Sequence, residues 1–149
     1  MMRLTRGICV TAALLTATTL AAPAYADGPD WKDGPVINVA SIRTVDGHFN
    51  DYMHWLATAY KKQQEAAKAA GVITDYSVIV VEARGPNDPD ILLVTTFKNW
   101  AALDNAGSKF NKVLEATEGS VAAADKSEVD RGKIRTVLGS RTEQVALLK

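Results

Sequence analysis

Two histidines, four tyrosines and one cysteine are most of what this chain offers for chemistry near neutral pH. Cys9 sits in an apolar leader, so the mature chain is expected to have no disulfide, thiol nucleophile or sulfur metal site. His54 falls on the polar stripe of an expected helix, with Asp51 and Asn50 one turn away. A carboxylate so placed could orient a base, but the stripe faces away from Phe49 and Leu56, which predicts a solvated side chain. His48 begins the same helix near the strand ends, where pockets open, and is a candidate ligand contact. The two histidines lack metal-site spacing. No metal, no cofactor and no catalytic residue is assigned.

Tyr52 and Tyr60 lie at or beside the buried stripe of that helix, and Tyr76 lies on a strand. Buried hydroxyls need partners. These three are the candidate lining of an apolar pocket for a small ligand. Arg131 and Arg135, one turn apart, and Arg141 form a late basic cluster suited to salt bridges. Lys61, Lys62, Glu65 and Lys68 read as a solvated face. The stretch Gly85–Asp90 reads as a turn, lacking the length and terminal Glu of a calcium loop. No nucleophile elbow, phosphate loop or dinucleotide fingerprint occurs.

The elements that must position these residues follow from periodicity. Val36–Val45 is β-branched and apolar on both faces, as in a covered strand. Phe49–Ala70 carries Phe49, Met53, Leu56, Tyr60, Gln63, Ala67 and Ala70 on one helical stripe, with Asp46 as a cap and Gly71 as the stop. Val72–Arg84 and Ile91–Phe97 read as a hairpin. Asn99–Ala116 reads as a second helix, with Trp100, Leu103, Ala106, Phe110, Val113 and Leu114 on its buried side. A third runs from Ser120 through Val129, Ile134, Val137 and Leu138 to Gly139, and Thr142–Lys149 is a last strand. This order predicts an α+β domain, the ferredoxin-like βαββαβ plait: a four-stranded antiparallel sheet with helices on one face.

The N-terminus supplies an address. Arg3 and Arg6 precede an apolar run from Ile8 to Leu20, then Ala24-Tyr25-Ala26. That is the order of a secretory signal peptide over residues 1–26. The run is too short for a bilayer core that takes about 20 apolar residues. The expected location is periplasmic or secreted. Residues 27–35, with two Gly-Pro pairs around Trp31, are expected to form a flexible arm, and 36–149 the domain. Losing Arg3 and Arg6 leaves 15 basic against 17 acidic residues, so no nucleic-acid or membrane partner is expected after cleavage.

The strand Val36–Val45, Gly47 before the long helix, the Val72–Phe97 hairpin and Lys98-Asn99-Trp100-Ala101-Ala102-Leu103 together resemble the dimeric α+β barrel superfamily. The resemblance covers about residues 36 to 149 and implies a homodimer closed through the sheet face. Strands apolar on both faces argue the same, because large exposed apolar patches are rare on monomers. The superfamily includes cofactor-free oxygenases, haem-degrading oxygenases, isomerases and non-enzymes. Its oxygenases place an Asn on the first strand and a Trp and a His on the second helix. Asn38 matches and joins the candidate ligand contacts. Trp100 comes one turn early, and that helix holds no histidine, which counts against a haem-degrading or quinol-oxidising site. The expectation is a binding or interaction protein, with a small apolar ligand as a possible partner. The alternative is a cofactor-free oxygenase or isomerase acting on a small apolar aromatic.

Overall fold

The β-branched and apolar residues of the first strand organise everything after them. In the structure, a computed structural model that describes residues 28–82, 85 and 87–149, β1 runs Trp31–Thr44 and lies inside the sheet. It pairs antiparallel with β3 (Ile91–Phe97) on one side and β4 (Arg135–Leu148) on the other, and β3 pairs antiparallel with β2 (Asp75–Val80). The protein is α+β, with a four-stranded antiparallel sheet in the order β2-β3-β1-β4. The leader expected over residues 1–26 lies outside the described residues.

Alternation along the strands separates two faces. Val36, Asn38, Ala40 and Ile42 share a face with Phe97, Thr95, Leu93 and Ile91, joined by Tyr76 and Val78. Helices pack on this face. Ile37, Val39 and Ser41 share the other with Thr96, Val94 and Leu92, and no core cluster of described residues forms there.

Residues 31–35 do not form an arm. Trp31, Lys32 and Asp33 pair with Leu148, Leu147 and Ala146, and a bulge follows before Val36. Gly34 makes this possible: a Cβ there would come within 2.6 Å of the Val145 carbonyl oxygen. Local Gly-Pro signals lost to a long partner strand, which satisfies their backbone groups.

The long helix is α1 (Phe49–Trp55), a π turn (Leu56–Tyr60) and α2 (Lys61–Ala69). The Thr58 hydroxyl donates to the His54 carbonyl at 2.8 Å within it. A π turn has more residues per turn than an α-helix, so the buried stripe steps by four: Tyr52, Leu56, Tyr60, Gln64 and then Ala67. The 3.6-residue expectation therefore drifts. Gln64, not Gln63, is buried, and Ala70 is exposed. His48, not Asp46, occupies the N-cap, and its side chain makes no capping bond. Gly71 ends the helix in the left-handed region, φ 67°, as expected.

The second expected helix breaks. A 3₁₀ turn (Trp100–Leu103), capped by the Asn99 side chain, is followed by Asn105 at φ 59° and then α3 (Ala106–Glu118). Trp100 lies in that turn and is exposed, so it is not a core residue. The third helix, α4 (Val121–Arg131), is capped by Ser120 but stops well short of Gly139. Its last turns tighten at Gly132 to Ile134, and the Ile134 carbonyl then accepts from the Val45 amide at 3.0 Å. This long-range bond hands residues 135–138, expected to be helix, to β4.

Candidate functional site

Two clusters fill the space between sheet and helices, and they differ in kind. Val36, Ala67, Val72, Ile73, Phe97 and Val113 form an apolar one beneath α2 and α3. Ile42, Tyr52, Leu56, Tyr60 and Ile91 form the other beneath α1. Between them the sheet presents Asn38 and Thr95, directly paired, and the Asn38 amide donates to the Thr142 hydroxyl at 3.1 Å.

The second cluster contains a row of rings. Tyr52 stacks on Trp55 with centroids 5.7 Å apart and planes 14° from parallel. Trp55 meets Tyr60 at 5.8 Å, and Tyr60 meets Tyr76 edge-on at 6.0 Å, within the range of favourable aromatic pairing. Trp55 and Tyr60 are five residues apart. The π turn between them puts both on one side of the helix, and β2 then supplies Tyr76 from across the layer.

The two ends of the row are electrostatically unlike. The Arg131 guanidinium lies 4.2 Å from the Trp55 ring centroid, and that of Arg135 lies 5.5 Å from the Tyr52 centroid, both cation–π distances. Glu128 bridges the two arginines, with Arg135 Nη2 donating to its Oε1 at 2.6 Å and Arg131 Nη2 donating to Oε2. Arg131 Nη1 also donates to Ser127 Oγ at 2.7 Å. Partial burial alone would raise the Glu128 carboxyl; the hydrogen bonds and charges of Arg131 and Arg135 outweigh it and hold it below the usual carboxylate range. At the opposite end the Tyr76 hydroxyl donates to Glu65 Oε1 at 2.7 Å.

Between these ends two hydroxyls have no hydrogen-bond partner among the described residues, those of Tyr52 and Tyr60. Burial pushes the Tyr60 phenol up to about 12, partly offset by the nearby Thr95 side chain, although no hydrogen bond of ordinary geometry closes there. Burial also raises Tyr52, opposed by the charges of Arg135 and Arg131.

A depression of about 240 Å³ opens on this cluster between the helix and β2, lined by Met53, Leu56, Ala57, Tyr60, Lys61, Tyr76 and Val78. Its wall is almost wholly carbon, and Lys61 is the one charged residue among those that line it. A larger polar hollow of about 410 Å³ lies at the β1 end, among Arg43, Thr44, Asp46, Phe49 and Asp90. The polar groups of Arg43, Thr44 and Asp90 are already committed to structure. Asp90 Oδ2 accepts from both the amide and the hydroxyl of Thr44, each at 2.7 Å, and Arg43 Nη2 donates to the Gly85 carbonyl at 3.0 Å.

The five expected contacts therefore separate. Tyr60 and Tyr76 line the depression. Tyr52 is fully buried behind it in the same row. Asn38 lies on the helix-covered face and bonds to Thr142. His48 is at the start of α1, its Nδ1 2.8 Å from Asp51 Oδ2 on the exposed surface, and it does not line the depression. His54 is exposed. Trp55 is a site residue that helical periodicity does not single out, and Glu65, expected among solvated charges, bonds to Tyr76. The three-residue spacing of Tyr52 and Trp55 was the available signal for the first; only the fold could show the second. Arg131 and Arg135 are salt-bridged, as expected of them.

No family model and no curated protein matches the chain. Among solved structures it is similar to HapK from Hahella chejuensis, with 13% sequence identity, a TM-score of 0.46, and coverage of 72% of this chain and 90% of that one.

Proposed function

We propose that this chain is an exported homodimeric α+β barrel protein that binds a small apolar aromatic compound beside Tyr60 and Tyr76, without catalysing its conversion. The apolar depression backed by the aromatic row carries this reading. Ligand pockets run from about 300 to 1,000 Å³, and an apolar cavity of about 150 Å³ holds benzene. The depression, at about 240 Å³, suits a ligand of one substituted ring. The bound ring would stack edge or face against Tyr60 and Tyr76 and leave its polar substituent at Lys61. Equilibrium dialysis against single-ring phenols and benzoates tests this, with Y76A as control. Saturable binding that Y76A weakens supports the reading; no binding by any of them overturns it.

The fold and assembly belong to the same proposal. Read from the other edge, the strand order is β4-β1-β3-β2, the order of a ferredoxin-like plait. Ile37, Val39, Leu92 and Val94 make the face away from the helices apolar, and a second copy would cover it by two-fold symmetry. Val94 lies on that face, whereas Leu93 packs toward the helices. V94D is therefore expected to give a folded monomer by light scattering, and L93D an unfolded chain. A monomeric parent protein at micromolar concentration would refute the dimer. For export, N-terminal sequencing of secreted protein is expected to begin at Asp27.

A further inference from the structure

The aromatic row has a chemical asymmetry that ligand binding does not use. Oxidising a tyrosine by one electron makes its phenol strongly acidic, so the charge is held only where a base can take the proton. Of the three tyrosines in the row, Tyr52 and Tyr60 have buried hydroxyls without a partner. Among the described residues Tyr76 alone of the three has a base in place, the Glu65 carboxylate at 2.7 Å. The other end repels positive charge, because Arg131 lies over Trp55 and Arg135 over Tyr52. Trp55 is nevertheless the ring an oxidant meets first there. It lines a hollow of about 390 Å³ together with Lys126, Asp130 and Arg131; Arg131 is paired with Glu128 and Asp130 with Lys133. Lys126 is then the cation that an anionic one-electron oxidant meets there.

We propose that the row carries oxidising equivalents from Trp55 to Tyr76, which becomes a neutral tyrosyl radical as Glu65 takes its proton. The oxidant gains one electron from Trp55. Trp55 regains one from Tyr76 across the Tyr60 ring, which is within 5.8 Å of the first and 6.0 Å of the second. The Tyr76 O–H bond breaks and a Glu65 carboxyl O–H bond forms. The net result is reduced oxidant, a radical on the Tyr76 oxygen and a neutral Glu65. Tyr60 acts as a bridge and is not itself the resting place, because among the described residues the group beside its hydroxyl is the Thr95 side chain, which is not a base. The row thus moves damage from the core cluster to a side chain at its outer edge.

The test uses hexachloroiridate(IV), an anionic outer-sphere one-electron oxidant, on W31F/W100F protein, in which Trp55 is the one tryptophan left of three. A nitroso spin trap captures the radical and mass spectrometry locates the adduct. The tyrosyl adduct is expected on Tyr76 and absent in Y76F. It is expected to fall severalfold in E65Q, which keeps a hydrogen-bond acceptor but cannot take the proton, and severalfold in W55F. Circular dichroism checks that each variant is folded. An adduct on Tyr52 or Tyr60 overturns the proposal. So does an unchanged Tyr76 yield in W55F, which would mean direct attack on Tyr76, or in E65Q, which would mean that the carboxylate plays no part.

Discussion

The two clusters beneath the helices are built on opposite terms. The one under α2 and α3 is aliphatic apart from Phe97, and none of its buried members carries a polar side chain, although the unpartnered Gln64 Oε1 lies on the same buried stripe of α2; shape mostly decides how well it packs. The one under α1 is aromatic, with two unpartnered hydroxyls and two arginines sharing one carboxylate at its edge. The first is expected to supply stability. The second tolerates unmet polar groups and is where an opening, a field gradient and unspent hydrogen-bonding capacity coincide. Buried polar groups left unmet cost free energy, so the presence of both tyrosine hydroxyls in one cluster marks it as a part of the core not shaped by stability alone.

The comparison breaks first if the aliphatic cluster proves soft. Phe97 is buried there, and F97A is expected to cost about 3–5 kcal/mol in urea unfolding, while leaving the depression beside Tyr76 intact. A much smaller loss would mean that this cluster relaxes around the cavity.

A second test is alkaline. The folded Tyr60 phenol is pushed up to about 12 by burial, from an ordinary value near 10. Its proton is held more tightly when folded, so its contribution is fully present below about pH 10 and is lost as pH rises through the folded value. The loss is on the order of 2 kcal/mol across that window. Urea midpoints measured from about pH 8 upward are expected to fall above pH 10, less steeply in Y60F. Identical profiles for the two proteins would place the Tyr60 hydroxyl in water.

Glu128 gives a smaller effect of opposite sign in pH. E128Q leaves two arginines around a neutral amide, but the Glu128 side chain is 55% exposed, so water screens the loss to about 1 kcal/mol. The folded carboxyl titrates below its ordinary value near 4.5. Its contribution is therefore present at neutral pH and disappears as pH falls below about 4.5 through the folded value. In E128Q the acid limb of the stability profile is expected to flatten correspondingly.

The smallest effect sharpens the contrast. Removing an unpartnered hydroxyl takes away a desolvation cost and no bond, so at neutral pH Y60F is expected to be neutral or stabilising by up to about 1 kcal/mol. A clear destabilisation by Y60F would reveal a hydrogen bond to Thr95 after all and remove one of the two features that set the aromatic cluster apart.

Much of this was readable along the chain. The four strands, the long first helix, the Gly71 stop and the Ser120 cap all come from local periodicity and capping chemistry, which act within a few residues. The errors fall where distant segments intervene. Pairing with Ala146–Leu148 turned the Gly-Pro stretch before Val36 into strand, and the Val45–Ile134 bond ended α4 ahead of Arg135. Val137 and Leu138 suit a helix stripe and a strand alike, and only a partner strand could choose.

What the amino-acid order determined by itself was which elements exist and that tyrosines rather than histidines lie near the core. The tertiary structure decided which of those tyrosines meet. A π turn brought Trp55 to Tyr60, and the layer packing set Tyr76 beside Tyr60 and against Glu65. It also left Asn38 and His48 apart from them. Periodicity records which face of an element a residue takes. It does not record the depth, register and rotation at which two elements settle, because those depend on the summed packing of residues far apart in the chain.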